Sequence, residues 1–127
     1  MIDYEALAEF RYQIRRFLHF SEQAARSCEI EPQQHQLLLA AKASQQPTIG
    51  YLADRLQIRH HSAVELVNRM VTSGLIQKAQ SDQDRRQMIV SPTARGERVL
   101  DELSTEHVRE LRDRGPALVT SLEALVG

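Results

Sequence analysis

In the first quarter of the chain, apolar residues fall at Leu7, Phe10, Ile14, Phe17 and Leu18, while Glu9, Arg11, Arg15 and Arg16 occupy the other side. This three-and-four spacing predicts an amphipathic helix from Tyr4 to Arg26. Pro32, suited to a first helical position, opens a second stretch through "QQHQLLLAAKA" that stops at "SQQP". A short third helix follows, capped by Thr48, with Leu52, Ala53 and Leu56 as its buried side. A few residues later "RHHSAVELVNRMVTSG" sets Ala63, Leu66, Val67 and Met70 on one face, and Gly74 is its C-terminal stop. Two helices joined by a turn of three or four residues are the outline of a helix-turn-helix.

Beyond Gly74 the pattern changes. "LIQKAQ" and "RQMIVS" read as two short strands, so "SDQD", from Ser81 to Asp84, lies at a hairpin tip and the hairpin is a wing. From Thr93 a long helical pattern turns Val99, Leu100, Leu103, Val108 and Leu111 inward. Gly115 and Pro116 predict a break there, followed by a final amphipathic helix carrying Leu118, Leu122, Leu125 and Val126. The first helix and the last two have apolar stripes that lie outside the helix-turn-helix core. Covering them with the same faces of a second copy predicts a homodimer. The expected fold is mainly α with a small two-stranded wing, in a single domain. A winged helix-turn-helix lobe spans about 30–98, and dimerisation helices occupy about 1–29 and 99–127.

With 127 residues, 42% of them hydrophobic and 26% charged, the chain has the balance of an ordinary globular domain. A net charge of −1 means that no global basic field announces a nucleic acid or a membrane, so such a partner must be read locally. Cys28 is the one cysteine, which excludes an internal disulfide framework and fits a reducing compartment. The start, "MIDYEALAEF", lacks the basic and apolar regions of a secretory signal, and no apolar run approaches membrane-spanning length. The expectation is a cytoplasmic protein without a membrane partner. There is no Gly-rich phosphate loop, nucleophile elbow or His/Glu metal motif, so no catalytic residue, metal or cofactor is expected.

With its elements in this order, the chain resembles the MarR family of bacterial winged-helix regulators. The most specific portion is "DRRQMIVSPTARG", in which Asp84, Arg86, Thr93 and Gly96 fall in register with that family's wing signature. "LADRLQIRHHSAVELVNRMVTSGLI" matches its two-helix block and Gly-Leu exit less specifically. Pro92 stands where the family has an apolar residue, and Arg59 and Glu65 stand where it often has a Ser/Thr cap and a basic residue. The resemblance implies a DNA-binding transcriptional regulator: a homodimeric repressor of a pseudo-palindromic operator, open to release by a small-molecule effector. A winged-helix protein-interaction module without DNA binding is the alternative, motivated by the near-neutral charge and by Glu65.

The partner expected of the first reading is double-stranded DNA. At the wing, Asp84 would orient Arg86 for the minor groove while Arg85 meets phosphate. The other reading of all three is a charged, solvated hairpin tip. His60 and His61 point about 100° apart on a helix and lack a third ligand at helical spacing, so metal is not expected of them. With Ser62 they would lie at the helix end entering the major groove first, and Val64 and Glu65 leave the core stripe and can face bases. Arg69 belongs to the same helix, and Arg55 is a backbone candidate, both suited to phosphate or to an intramolecular ion pair. His35 either lines an effector pocket with Phe17 and Phe20 or is a hydrogen-bonded core histidine. Cys28 reads as a small buried thiol.

Overall fold

The computed structural model describes all residues, 1–127. In chain order it contains α1 (Tyr4–Ser27), α2 (Pro32–Ala43), α3 (Ile49–Leu56), α4 (His60–Thr72), β1 (Ile76–Gln80), β2 (Met88–Pro92) and α5 (Ala94–Val126). The helical starts follow from local chemistry. Asp3 Oδ1 accepts from the Ala6 amide at 3.0 Å, and Thr48 Oγ1 accepts from the Tyr51 amide at 3.1 Å. At α2, Pro32 is the first helical residue, and Gln34 Oε1 reaches back to accept from the Glu31 amide at 2.9 Å.

The helix-turn-helix forms as the spacing predicts. Gln57 terminates α3 in the left-handed region at φ 55°, and α4 begins three residues later. Ala63, Leu66, Val67 and Met70 are all buried. They join Leu37, Leu38 and Leu52 from α2 and α3, Val90 from the wing and Leu100 and Leu103 from α5 in one core. Gly74 ends the α4 exit at φ 79°, a conformation that costs other residues a Cβ clash.

The wing is an antiparallel pair in which Ile76 faces Pro92 and Gln80 faces Met88. Its inner edge is completed from outside the hairpin. The Val90 amide donates to the Pro47 carbonyl at 2.9 Å, and Thr48 bridges Ile89. The residues leading into α3 therefore serve as a short third strand.

The corner into α5 is the tightest joint. Thr93 Oγ1 donates to the Gly74 carbonyl at 2.6 Å and accepts from the Gly96 amide at 3.1 Å. One side chain thereby caps α5 and ties it to the end of α4. Gly96 lies so close to β1 that a Cβ there would stand 2.1 Å from the Leu75 carbonyl oxygen.

Two sequence expectations are corrected. The break expected at Gly115 and Pro116 does not occur: α5 runs unbroken through both. Pro116 removes one amide donor, but it and Arg112, whose carbonyl would have received the bond, are exposed, so water can serve that carbonyl. The inward stripe of α5 is also phased differently. Val108 and Leu111 are 45% and 41% exposed, and the inward positions after Leu103 are His107 and Ser121. A period identifies a helical face only if the buried side is apolar throughout, and here it is not.

Gly96→Ala should force the backbone at the corner apart and lower stability by about 1–3 kcal/mol, read as a lower urea midpoint. Gly115 offers the contrast, because a Cβ there would meet nothing nearer than Leu111 Cβ at 4.0 Å. Gly115→Ala should raise the midpoint by removing a helical glycine, worth roughly 0.5–1 kcal/mol. Equal responses of the two variants would contradict this account of the corner.

Candidate functional site

The start of α4 is solvent-facing and lacks a side-chain cap. Arg59 occupies the N-cap with extended backbone and makes no side-chain capping bond, leaving the first-turn amides without that acceptor. His60 and His61 are exposed in this turn, Ser62 and Val64 are half-buried, and Glu65 is exposed one turn on. Arg55 is exposed in the last turn of α3.

Arg69 is set apart from these residues. It lies nine residues beyond His60, about 13 Å along the helix axis. Its Nη2 donates to Glu31 Oε2 at 2.9 Å, tying the last turn of α4 to the start of α2. Of the two roles the sequence allowed this arginine, the structure shows the intramolecular ion pair. A second tie, absent from the sequence reading, fixes α4 to the wing: Lys78 Nζ on β1 donates to Asn68 Oδ1 at 3.1 Å.

The wing tip is built by its own side chains. Ser81 is buried, and its Oγ accepts from the amides of Gln83 at 3.2 Å and Asp84 at 3.3 Å. Its place at the head of a Ser-Asp-Gln-Asp turn was the available signal for this hydroxyl turn. Gln80 Nε2 donates across the loop to the Arg85 carbonyl at 2.7 Å.

On this frame Asp84 takes hold of Arg86 three times. Oδ1 accepts from the Arg86 amide at 3.0 Å and from Nε at 3.1 Å, and Oδ2 accepts from Nη2 at 3.3 Å. The Arg86 side chain is nevertheless 91% exposed. The guanidinium beside Asp84 holds its carboxyl below the usual carboxylate range, and the Arg86 amide adds to the effect. Two of the five guanidinium N–H groups face the carboxylate, so three point away from it. The result is a cation oriented before it meets anything, with donors to spare for an anion or a planar acceptor. Arg85 beside it is exposed and has no carboxylate partner.

The other candidate residues gather between the terminal helices, around a residue that the sequence reading missed. His107 of α5 has its ring 5.8 Å from Phe17 and 5.2 Å from Phe20, both edge-on, and 4.7 Å from His35 of α2. His107 Nδ1 lies 2.6 Å from the Leu103 carbonyl, which can only accept, so this nitrogen carries the proton. Nε2 then accepts from Ser21 Oγ of α1 at 2.8 Å. The spacing of Leu103 and His107, one helical turn apart, could have marked His107 as inward, but Val108 fitted an apolar stripe better.

His35 is 4% exposed, and its Nδ1 has no hydrogen-bond partner. The expectation of a hydrogen-bonded core histidine is therefore corrected: His35 is in the core without the bond, because both nitrogens of its neighbour His107 are engaged elsewhere. Burial, aided by His107, lowers the His35 pKa to about 4. The expected pocket is also redrawn. Phe17 and Phe20 line a recess of about 580 Å³ between α1 and α5 with Tyr12, Arg15, Arg16, Arg114 and Leu118, but His35 is not among its walls. Cys28, half-buried at the end of α1, has its thiol pushed up by burial and then by Glu102 and Glu106, which opposes the reactive thiolate.

No helix is long and apolar enough to cross a membrane. In sequence, no curated protein matches the chain. A family model described as the MarR family matches residues 29–87, from the end of α1 to the wing tip.

Among solved structures, a mutant of S. aureus MepR superposes with a TM-score of 0.77 at 18% identity, covering 99% of this chain and 100% of that one. Wild-type apo MarR from E. coli gives 0.74 at 16% identity, covering 100% and 98%. A mutant E. coli MarR complexed with operator DNA gives 0.70 at 15% identity, covering 92% and 90%. At these identities the likeness to the solved structures is one of fold. The family model from the helix-turn-helix to the wing tip and the fold shared from end to end make this chain similar to the MarR family.

Proposed function

We propose that the protein is a homodimeric transcriptional repressor that works in the cytoplasm by binding a pseudo-palindromic DNA operator. The observation that carries this reading is the Asp84–Arg86 fork: an almost fully exposed guanidinium held by two hydrogen bonds, with a third from its own backbone amide, at the end of a wing. An exposed ion pair of this kind adds little to stability, so its value lies in pre-setting the cation. A narrow minor groove, with its concentrated negative potential, is the matching acceptor. The uncapped, exposed start of α4 offers the complementary element for the major groove, through His60, His61, Ser62, Val64 and Glu65. Arg55 and Arg85 are suited to phosphate. The operator-bound MarR of the same fold supports this assignment by analogy.

Dimerisation is supported by what the chain leaves uncovered. Apart from Leu39, Tyr51 and Val71, every exposed large hydrophobic side chain lies in the N-terminal segment, α1 or α5. These include Leu7 at 41%, Leu18 at 49%, Val119 at 52% and Leu122 at 41%. Such a face is costly in water and suits a second copy. The recess lined by Phe17, Phe20 and three arginines would take an effector with an apolar body and an anionic end. Binding there would alter the spacing of α1 and α5 and release the operator.

Selection of bound duplexes from a random library tests the central reading. The expected product is a two-fold site with half-site centres about 10 base pairs apart, and recovery of unsymmetrical single half-sites would contradict it. Failure to retain any duplex would favour the protein-interaction alternative, which Glu65 on the exposed face of α4 keeps chemically reasonable.

Leu122→Glu is expected to shift sedimentation at micromolar concentration from dimer to monomer and to weaken operator binding in parallel. A wild-type chain that sediments as a monomer would remove the basis for the dimer.

The wing residues should separate by the kind of contact each makes. Arg86→Ala should lower affinity most for operators with A·T-rich flanks, flattening the preference among flanking sequences. Arg85→Ala should weaken all sequences alike and reduce the salt slope by roughly one unit per lost phosphate contact. Asp84→Ala should resemble a milder Arg86→Ala, since the guanidinium remains but is no longer oriented. Titrations at two salt concentrations read these differences. If affinity and flank preference are unchanged in Arg86→Ala, the wing is only a solvated hairpin.

A further inference from the structure

The contact between His35 and His107 lies where the winged lobe meets the terminal helices. α2 belongs to the lobe and packs on α3 and β2, but it also rests on α1 and α5. At that seam the two imidazoles are 4.7 Å apart, and α1 is joined in through the Ser21 hydroxyl. Both ring nitrogens of His107 are engaged, whereas His35 Nδ1 is buried without a partner. A buried imidazole can remain without a partner at modest cost, but a buried imidazolium cannot.

We propose that the His35–His107 contact is a proton-operated latch between the winged lobe and the terminal-helix pair, closed while His35 is neutral and opened when α2 withdraws to let His35 take up a proton from water. The surroundings of the rings favour this outcome over a salt bridge inside the seam. From α5 come Glu102, Glu106 and Glu110, of which Glu106 is paired with Arg109 and Glu110 with Arg114. On the adjoining stretch of α1 are Arg16 and His19, with Cys28 just past its end, and Glu31, held by Arg69, caps the start of α2. On α3, Asp54 and Arg55 are exposed, and β2 carries no charged residue. None of the carboxylates hydrogen-bonds either imidazole.

The direction follows from linkage. In the closed seam His35 titrates at about 4, whereas a hydrated ring titrates near its ordinary 6.5. The open form therefore binds more protons between these values. The closed form is fully favoured above pH 6.5, loses ground as pH falls towards 4, and changes no further below that. From pH 7.5 to pH 5.5 the open fraction rises roughly tenfold. The latch stands independently of the DNA-binding proposal, and only its consequence for an operator rests on that reading.

Hydrogen exchange of the full-length chain at pH 7.5 and pH 5.5, corrected for intrinsic rates, reads the seam directly. The expected result is a roughly tenfold loss of protection at Leu37 and Leu38 of α2. His35→Phe keeps an aromatic ring of similar size without a proton site and should abolish the pH effect. The latch is overturned if wild-type protection is the same at both pH values, or if His35→Phe shows the same loss.

Should that variant not fold, NMR titration of the histidine rings in the wild-type chain still decides. The latch requires a His35 pKa well below the ordinary histidine value near 6.5, and a His35 that titrates at that ordinary value refutes it. Neither readout uses DNA, so failure to retain any duplex would fall on the proposed function alone.

Discussion

The Thr93 hydroxyl holds the joint on which the placement of every other part depends. By donating to the Gly74 carbonyl and accepting from the Gly96 amide, it locks the exit of α4 and the entry of α5 into one corner. Gly96 brings the long helix into backbone contact with the strand leaving α4. The Arg95 guanidinium, donating to the Ser73 carbonyl, closes the same corner from outside. A wing and a helix can act on one partner only if their separation is fixed, and here it is fixed by backbone atoms rather than by long side chains. The Lys78–Asn68 bond then trims the angle between them.

The charge distribution follows a similar economy. A chain with a net charge of −1 cannot rely on a broad positive field, so attraction of a polyanion has to come from a few placed cations. The arginines have separate duties. Arg69 is committed to Glu31 and holds two helices together, whereas Arg86 is held by Asp84 yet stays exposed. The same ion-pair chemistry gives anchoring in one case and presentation in the other. The difference is that Glu31 comes from a distant element, whereas Asp84 is two residues away on the same tip.

The fold was legible wherever one physical signal acted alone. Ala63, Leu66, Val67 and Met70 had only one place to go, and Thr48, Gly74 and the turn at Ser81 to Asp84 punctuate the chain by chemistry that needs no partner. The Asp84–Arg86 pairing was also visible, since two residues of opposite charge this close along a tight turn can reach each other. The terminal helices were harder because α1 and α5 each carry two faces of interest. The periodic apolar residues mark the outer one, while the inner face includes Gln13, Ser21, His107 and Ser121. Polar residues that face inward because their hydrogen bonds are met within the helices carry no hydrophobic period, so His107 escaped notice. Gly115 and Pro116 misled for the opposite reason, because an exposed helix surface tolerates them.

The unbroken course of α5 has a mechanical consequence. Its 33 residues make a rod about 50 Å long, anchored at one end by the Thr93 corner. A tilt of about 5° at that anchor carries the far end through about 4 Å, roughly the diameter of a methyl group. A break at Gly115 and Pro116 would have let the distal segment absorb such a tilt. Without one, the helix stays a single lever, and a tilt at the Thr93 corner reaches Leu122 and Val126 undiminished.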